Sequence, residues 1–265
     1  RPFHMNHSIR DEVHRWADEC THWKMDEQVL CSNPDLDRLL REFGSGGSST
    51  GVFMDISLEA VVGLQRQVGR VGSTWRQSAK ELHCENWTVK AYEYLDSEMG
   101  DRPFPTSTTP LEAACFGGAV FIYNGAHRTI AGLVRAFGLD RVDPRFKAVR
   151  CELHPMQGGV LDWALHLWEK GGLEWYDSHQ APAADAVQRD GCGRAFHLLF
   201  RGTSNPEQWF GIDRVRGEPY GLPMRALRKA DRNGYMKDMA ERFAPVPAQV
   251  LRAWRSRAWA ETVLR

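Results

Sequence analysis

The chain has 265 residues, 42% hydrophobic and 26% charged, which places it in the ordinary globular range with core enough for one large domain or two small ones. Lys+Arg and Asp+Glu each number 34, so no long-range field marks the whole chain as binding nucleic acid or membrane. No apolar run approaches the roughly 18 residues of a membrane span and no signal peptide precedes the first helical pattern, so a soluble protein without a membrane partner is expected.

The six cysteines, Cys20, Cys31, Cys84, Cys115, Cys151 and Cys192, never form a CxxC pair. That argues against a structural zinc site and for reduced thiols in a cytoplasmic setting. Residues 1–43 carry Val13, Trp16, Ala17, Cys20 and Trp23, then Leu36, Leu39, Leu40 and Phe43, at helical spacing, which predicts two amphipathic helices. Gly44 to Ser49 read GSGGSS, a composition with nothing to bury, so residues 44–50 are expected to be a flexible linker and residues 1–43 a separately derived, linked piece. Leu58 to Val68 and Trp75 to Leu95 again carry the helical period. From Phe104 the pattern turns to strands: Ala119–Tyr123, Phe146–Leu153, Phe196–Phe200 and Trp209–Val215. A hairpin is expected from Trp163–Glu169 and Leu173–Asp177 across Lys170-Gly171-Gly172. Thr129–Phe137, closed by Gly138, reads as a helix. The expectation is an α/β (α+β) fold: one mixed-sheet domain over 51–221, flanked by helices, and a helical tail over 222–265. The tail's ten Lys and Arg residues from Arg225 onward face only Asp231, Asp238, Glu241 and Glu261.

The strand ending at Tyr123 delivers the chain into Asn124-Gly125-Ala126-His127-Arg128, which opens a helix. Amides of a first helical turn have no internal partner and carry partial positive charge, so they favour an anion. Gly125 permits a tight turn and close approach, and Arg128 offers a forked donor suited to phosphate oxygens. The pattern strand, Asn-Gly-x-His-Arg, Ala131, helix, Gly138-Leu139-Asp140, strand resembles the ParB and sulfiredoxin superfamily over about residues 88–153. That resemblance implies a nucleotide or phosphorylated small molecule held by Asn124, Gly125, Ala126, His127 and Arg128. It further implies phosphotransferase or NTP hydrolase chemistry, with Mg²⁺ accompanying a nucleoside triphosphate and Glu93 or Asp96 as base or metal ligand. Ala126 stands where sulfiredoxins carry their reactive cysteine, so that activity is not implied.

A rival reading uses a thiol. His166 and Asp177, on the two strands of the expected hairpin, resemble the His and Asp strands of papain-like and transglutaminase-like enzymes, which would make the chain a cysteine-dependent peptidase or acyltransferase. Cys84, expected to open a helix, and Cys115 are the candidate nucleophiles. Ser107-Thr108-Thr109 with Glu152 resembles elements of ADP-ribosyltransferases, although Arg150 stands where their first Glu is usual. Arg201, with Thr203 and Ser204, forms a further candidate anion site. The tail from Tyr235 to Arg255 resembles a helix-turn-helix, which implies weak nucleic-acid contact through its basic helices. A non-catalytic binding module completes the set.

Overall fold

The computed structural model describes residues 8–44, 47–97, 99, 104–105, 107–176, 196–213 and 215–256. Their helices are α1 (Ile9–Glu19), α2 (Pro34–Glu42), α3 (Trp75–Lys80), α4 (Val89–Asp96), α5 (Ala126–Gly138), α6 (Gly158–Glu169), α7 (Met224–Ala230), α8 (Tyr235–Glu241) and α9 (Ala248–Arg255). Their strands are β1 (Leu30–Cys31), β2 (Ser49–Ser57), β3 (Val61–Leu64), β4 (Glu112–Phe116), β5 (Ala119–Asn124), β6 (Arg145–His154), β7 (Leu173–Tyr176), β8 (Phe196–Gly202), β9 (Phe210–Asp213), β10 (Pro219–Gly221) and β11 (Phe243–Pro245). The α/β class expected from sequence holds, with a mixed sheet flanked by helices. Among the described residues no helix is long and apolar enough to cross a membrane.

The chain divides into two compact units, one made of Arg1–Asn33 and Ser48–Leu153, the other of Pro34–Gly47 and His154–Arg265. Each unit has its own sheet, where the sequence pattern suggested one sheet domain over 51–221. The division also falls elsewhere than the expected boundary at residue 43. Residues up to 33 belong to the first unit and α2 to the second. Of the GSGGSS stretch, Ser45 and Gly46 lie outside the described residues. Gly44 bridges Met156 and accepts from Gln157 Nε2 at 3.1 Å, and Ser49 already belongs to β2.

In the first unit six strands run in the order β1-β3-β5-β4-β6-β2. β1, β3 and β5 are mutually parallel, while β4 pairs β5 and β2 pairs β6 antiparallel. The Leu58–Val68 run, expected as helix, gives only a 3-10 turn at Leu58–Ala60 before β3, whose four residues are all buried. Two adjacent β-branched residues, Val61 and Val62, favour the extended chain. A strand covered on both faces shows no alternation to read, so periodicity could not separate it from a helix. Gly63 completes the fit, because a Cβ there would lie 2.6 Å from both Leu30 O and the Phe121 ring. Gly63→Ala is therefore expected to destabilise this unit by about 1–3 kcal/mol through overpacking. Gly159→Ala, in α6 with open space around it, is expected to be neutral or stabilising; paired thermal melts read the contrast.

Helices α1, α3 and α4 pack on α5, which is buried continuously from Arg128 to Phe137. α1 begins with a reciprocal capping box between Ser8 and Asp11, and α3 with one between Thr74 and Gln77. The single helix expected over Trp75–Leu95 is two. α3 ends at Lys80, a turn closes by Trp87 N donating to Cys84 O at 3.1 Å, and α4 starts after Thr88. Residues 24–32 are joined to this unit through backbone bonds from Trp75 N to Glu27 O (3.1 Å), Val29 N to Ser73 O (3.0 Å) and Ser32 N to Leu64 O (2.9 Å). Beneath them Lys24 and Glu27 form a buried ion pair at 2.5 Å, with the ammonium also donating to Glu59 O at 3.1 Å.

In the second unit five strands run β10-β9-β8-β7-β11, all antiparallel. The expected Trp163–Glu169 strand is instead part of α6, so there is no hairpin across Lys170–Gly172. Its buried residues Val160, Leu161, Ala164, Leu165 and Leu167 recur at the helical period, and the segment from Leu161 to Trp168 contains no β-branched residue. β7 pairs β8 and β11. The tail is not wholly helical either, because β11 interrupts it between α8 and α9. One core cluster joins Tyr176, Leu199, Trp209, Leu227, Met239 and Phe243; elsewhere Phe43 stacks obliquely on Phe200 and Trp254.

Candidate phosphate-binding cleft

Two strand-to-helix connections of the first unit leave the sheet at the same edge. Because β3 and β5 are parallel neighbours, the segment after β3 (Gln65 to Thr74) and the turn after β5 (Gly125) both lie beyond the carboxyl ends of their strands. That is the edge at which open α/β sheets hold ligands. A cleft of about 920 Å³ opens here, lined by Arg66, Gln67 and Gly69 from the first connection and by Tyr123 to Arg128 from the second.

The expected turn is present. Gly125 is the N-cap of α5 with φ +96°, a left-handed conformation that favours glycine, and a Cβ there would also meet the side chains of Leu111 and Arg128. No side chain caps the helix. The first helical bond is Thr129 N to Gly125 O at 2.9 Å, which leaves the amides of Ala126, His127 and Arg128 outside the helical ladder.

Arg128 is 5% exposed. Its Nη2 donates to Thr109 O at 2.9 Å and Pro110 O at 3.0 Å, and its guanidinium lies 5.9 Å from the centre of the Phe104 ring. Burial lowers its pKa, opposed by the weaker pull of Tyr94 and Glu112. Among the described residues no carboxylate lies within ion-pair distance of it, so the site holds an incompletely compensated cation. Asn124 supports the arrangement by donating through Nδ2 to Thr109 Oγ1 at 2.9 Å and Pro110 O at 3.3 Å. His127 is exposed at the cleft. Partial desolvation first, and the nearby His83 second, hold its imidazole below the usual range, which leaves Arg128 as the permanent cation of the turn.

The remaining wall adds Arg10, Arg66, Lys80 and His83, whereas Glu81 is the one carboxylate among the lining residues. Arg10 pairs Glu85 at 2.9 Å and Lys80 pairs Asp18, both on the surface. Arg66 is exposed and has no carboxylate partner among the described residues. Sequence reading missed these residues. They are scattered over some 70 positions, and only the packing of α1, α3 and the connection after β3 brings them together.

Other expected site residues are not here. Glu93 is exposed on α4 and Asp96 forms a 2.5 Å ion pair with buried Arg135 two turns along α5; neither lines the cleft. They sit on α4, where the exposed side chain of Glu93 and the Arg135-bound carboxylate of Asp96 are turned away from the lining residues. Among the described residues no group of three or more His, Cys, Asp or Glu is arranged to hold a metal ion. Glu152 on β6 does not line the cleft, and Arg150 pairs Glu112 at 3.3 Å. Arg201 is committed to Glu174 at 2.7 Å and lies over the Phe243 ring at 4.1 Å, so it offers no open anion site.

The thiol reading loses the local structure it relied on. His166 is on helix α6, not on a strand, and Asp177 lies outside the described residues. Cys84 lies in the turn before α4 and not at a helix start, and burial pushes its thiol up to about 11. Cys115, fully buried on β4 beside Cys151, is raised well above the ordinary thiol range by burial first and by that neighbour second. At pH 8 a thiol of pKa about 11 is roughly one-thousandth ionised, too little for a nucleophile. Alkylation of the folded protein at pH 8, mapped by mass spectrometry, is expected to leave Cys84 and Cys115 unmodified until denaturant is added. Rapid native labelling of either would overturn the burial argument.

No protein-family model, no curated protein and no solved structure matches this chain.

Proposed function

We propose that the first unit binds a phosphate-bearing ligand of the nucleotide class in this cleft, with the phosphate at the start of α5. The observation that carries the reading is an uncapped helix N-terminus beyond the carboxyl ends of parallel strands, beside the buried cation Arg128. The resemblance of Asn124–Arg128 to the ParB and sulfiredoxin turn supports it independently. The amides of Ala126 to Arg128 donate to the phosphate, Arg128 neutralises it, and Gly125 lets the backbone approach.

Binding is the supported step. Phosphoryl transfer needs a base or a metal ligand, and Glu81, the one lining carboxylate, already accepts from Arg70 N at 2.9 Å. Mg²⁺ therefore suits this site only as a companion held by the ligand's own phosphates.

Calorimetric titration of nucleoside triphosphates, with and without Mg²⁺, into wild type, Arg128→Lys and Arg66→Ala tests the proposal. Saturable binding that weakens in both variants, with the melting temperature of Arg66→Ala unchanged, is expected. A folded wild type that binds none of them would overturn it.

A further inference from the structure

The cleft is larger and more cationic than one phosphate group requires, and its lining includes two aromatic rings. Its volume of about 920 Å³ lies near the top of the roughly 300–1,000 Å³ range of small-molecule sites. The start of α5 accommodates a single phosphate, yet Arg10, Arg66 and Lys80 bring further positive charge to the other walls. Arg66 has no carboxylate partner among the described residues, while the exposed pairs of Arg10 and Lys80 exchange partners at little cost.

The same cleft is lined by Trp87 and Phe104. Their rings meet edge to face at 5.0 Å and 66°, and Phe104 in turn lies under the Arg128 guanidinium. Trp87 is half-buried where Phe104 is fully buried. Phe104 therefore braces both the phosphate-facing Arg128 and a partly exposed indole beside it. Several cations and a partly exposed aromatic ring in one cleft match the backbone and bases of a nucleic-acid strand, whose phosphates repeat while every base offers a π-face.

Resting on the phosphate reading above, we infer that the ligand is a single-stranded segment of nucleic acid. One phosphate sits at the start of α5, a neighbouring base stacks on Trp87, and the next phosphates meet Arg66 and Lys80. A free nucleotide reaches fewer of these cations than a strand does.

The test uses the full chain and fluorescence anisotropy of a labelled twelve-nucleotide oligothymidylate, competed by unlabelled nucleoside triphosphate and by a duplex. The strand is expected to bind at least tenfold more tightly than the triphosphate. Its log affinity should fall with log salt at a slope of about −2 to −3, as three or four phosphate contacts give. Trp87→Ala should weaken it about 5- to 100-fold in a protein still folded at the assay temperature, and Arg66→Glu at least tenfold with an unchanged melting temperature. If the triphosphate binds as tightly as the strand, this inference fails while the phosphate site stands. If the strand binds equally well to Trp87→Ala and Arg66→Glu, it binds elsewhere on the chain and the inference is overturned. If neither ligand binds, the phosphate reading fails with it.

Discussion

Arg128→Ala is expected to lose ligand affinity by at least tenfold and to lower the melting temperature of the first unit at the same time. The two effects share one cause. The guanidinium is buried and satisfied by the carbonyls of Thr109 and Pro110, so it ties the segment before β4 to the start of α5. Hydrogen bonds from a charged donor contribute about 1.5–3 kcal/mol. Its removal leaves Thr109 O without that donor, although Asn124 still reaches Pro110 O at 3.3 Å. The bound phosphate meanwhile loses the charge that is least solvated before binding and hence cheapest to bring against an anion. Arg128→Lys separates the two contributions: it keeps the charge and loses the fork, so it should retain part of the binding while forfeiting one carbonyl bond. Calorimetric titration together with thermal melting reads both quantities. An Arg128→Ala protein that melts and binds like wild type would show that the side chain matters neither to the turn nor to the ligand.

Glu27→Ala should be the most damaging single change outside the cleft, at about 3–5 kcal/mol. The Lys24 ammonium is 1% exposed and Glu27 stands 2.5 Å from it. In the variant, a buried cation keeps Glu59 O among its acceptors but loses the carboxylate 2.5 Å from it. At roughly 2–4 °C per kcal/mol for a unit of this size, the first unit should melt on the order of 10 °C lower. Replacing both partners, Lys24→Met with Glu27→Leu, should recover most of the loss, since the cost lies in stranding one charge rather than in lacking the pair. The experiment also reports on residues 8–33. If they were an appended piece, Glu27→Ala would leave the melting of the remainder unchanged; the backbone bonds to Ser73, Leu64 and Trp75 predict otherwise.

The candidate site divides sharply between what could be read and what could not. Asn124 to Arg128 is contiguous, and its strand, glycine and helix are local consequences of residue type. β5 is apolar from Ala119 to Tyr123, Gly125 adopts a conformation other residues resist, and the helical period begins at once. Arg66, Lys80 and Arg10 carried no signal, because an exposed cation looks the same whether it lines a cleft or faces bulk water. Glu93 and Asp96 failed for the opposite reason. Helical spacing says which residues share a face but not which neighbour that face meets, and here the neighbour of Asp96 is Arg135.

By itself the sequence determined the α/β class, the strand-turn-helix at Gly125, the strand at β6 and the basic character of the C-terminal helices, because each follows from local propensity, chain geometry or composition. Tertiary structure decided the rest. Burial on both faces made Val61–Leu64 a strand, and the packing of Leu161 to Leu167 made a helix of an expected hairpin arm. The two-unit division also had to come from the fold, since α2 and residues 8–33, contiguous in the chain, bury their apolar faces in different cores. The reason is general: periodicity and propensity are set within a few residues, whereas the surface that buries a given face can lie a hundred residues away.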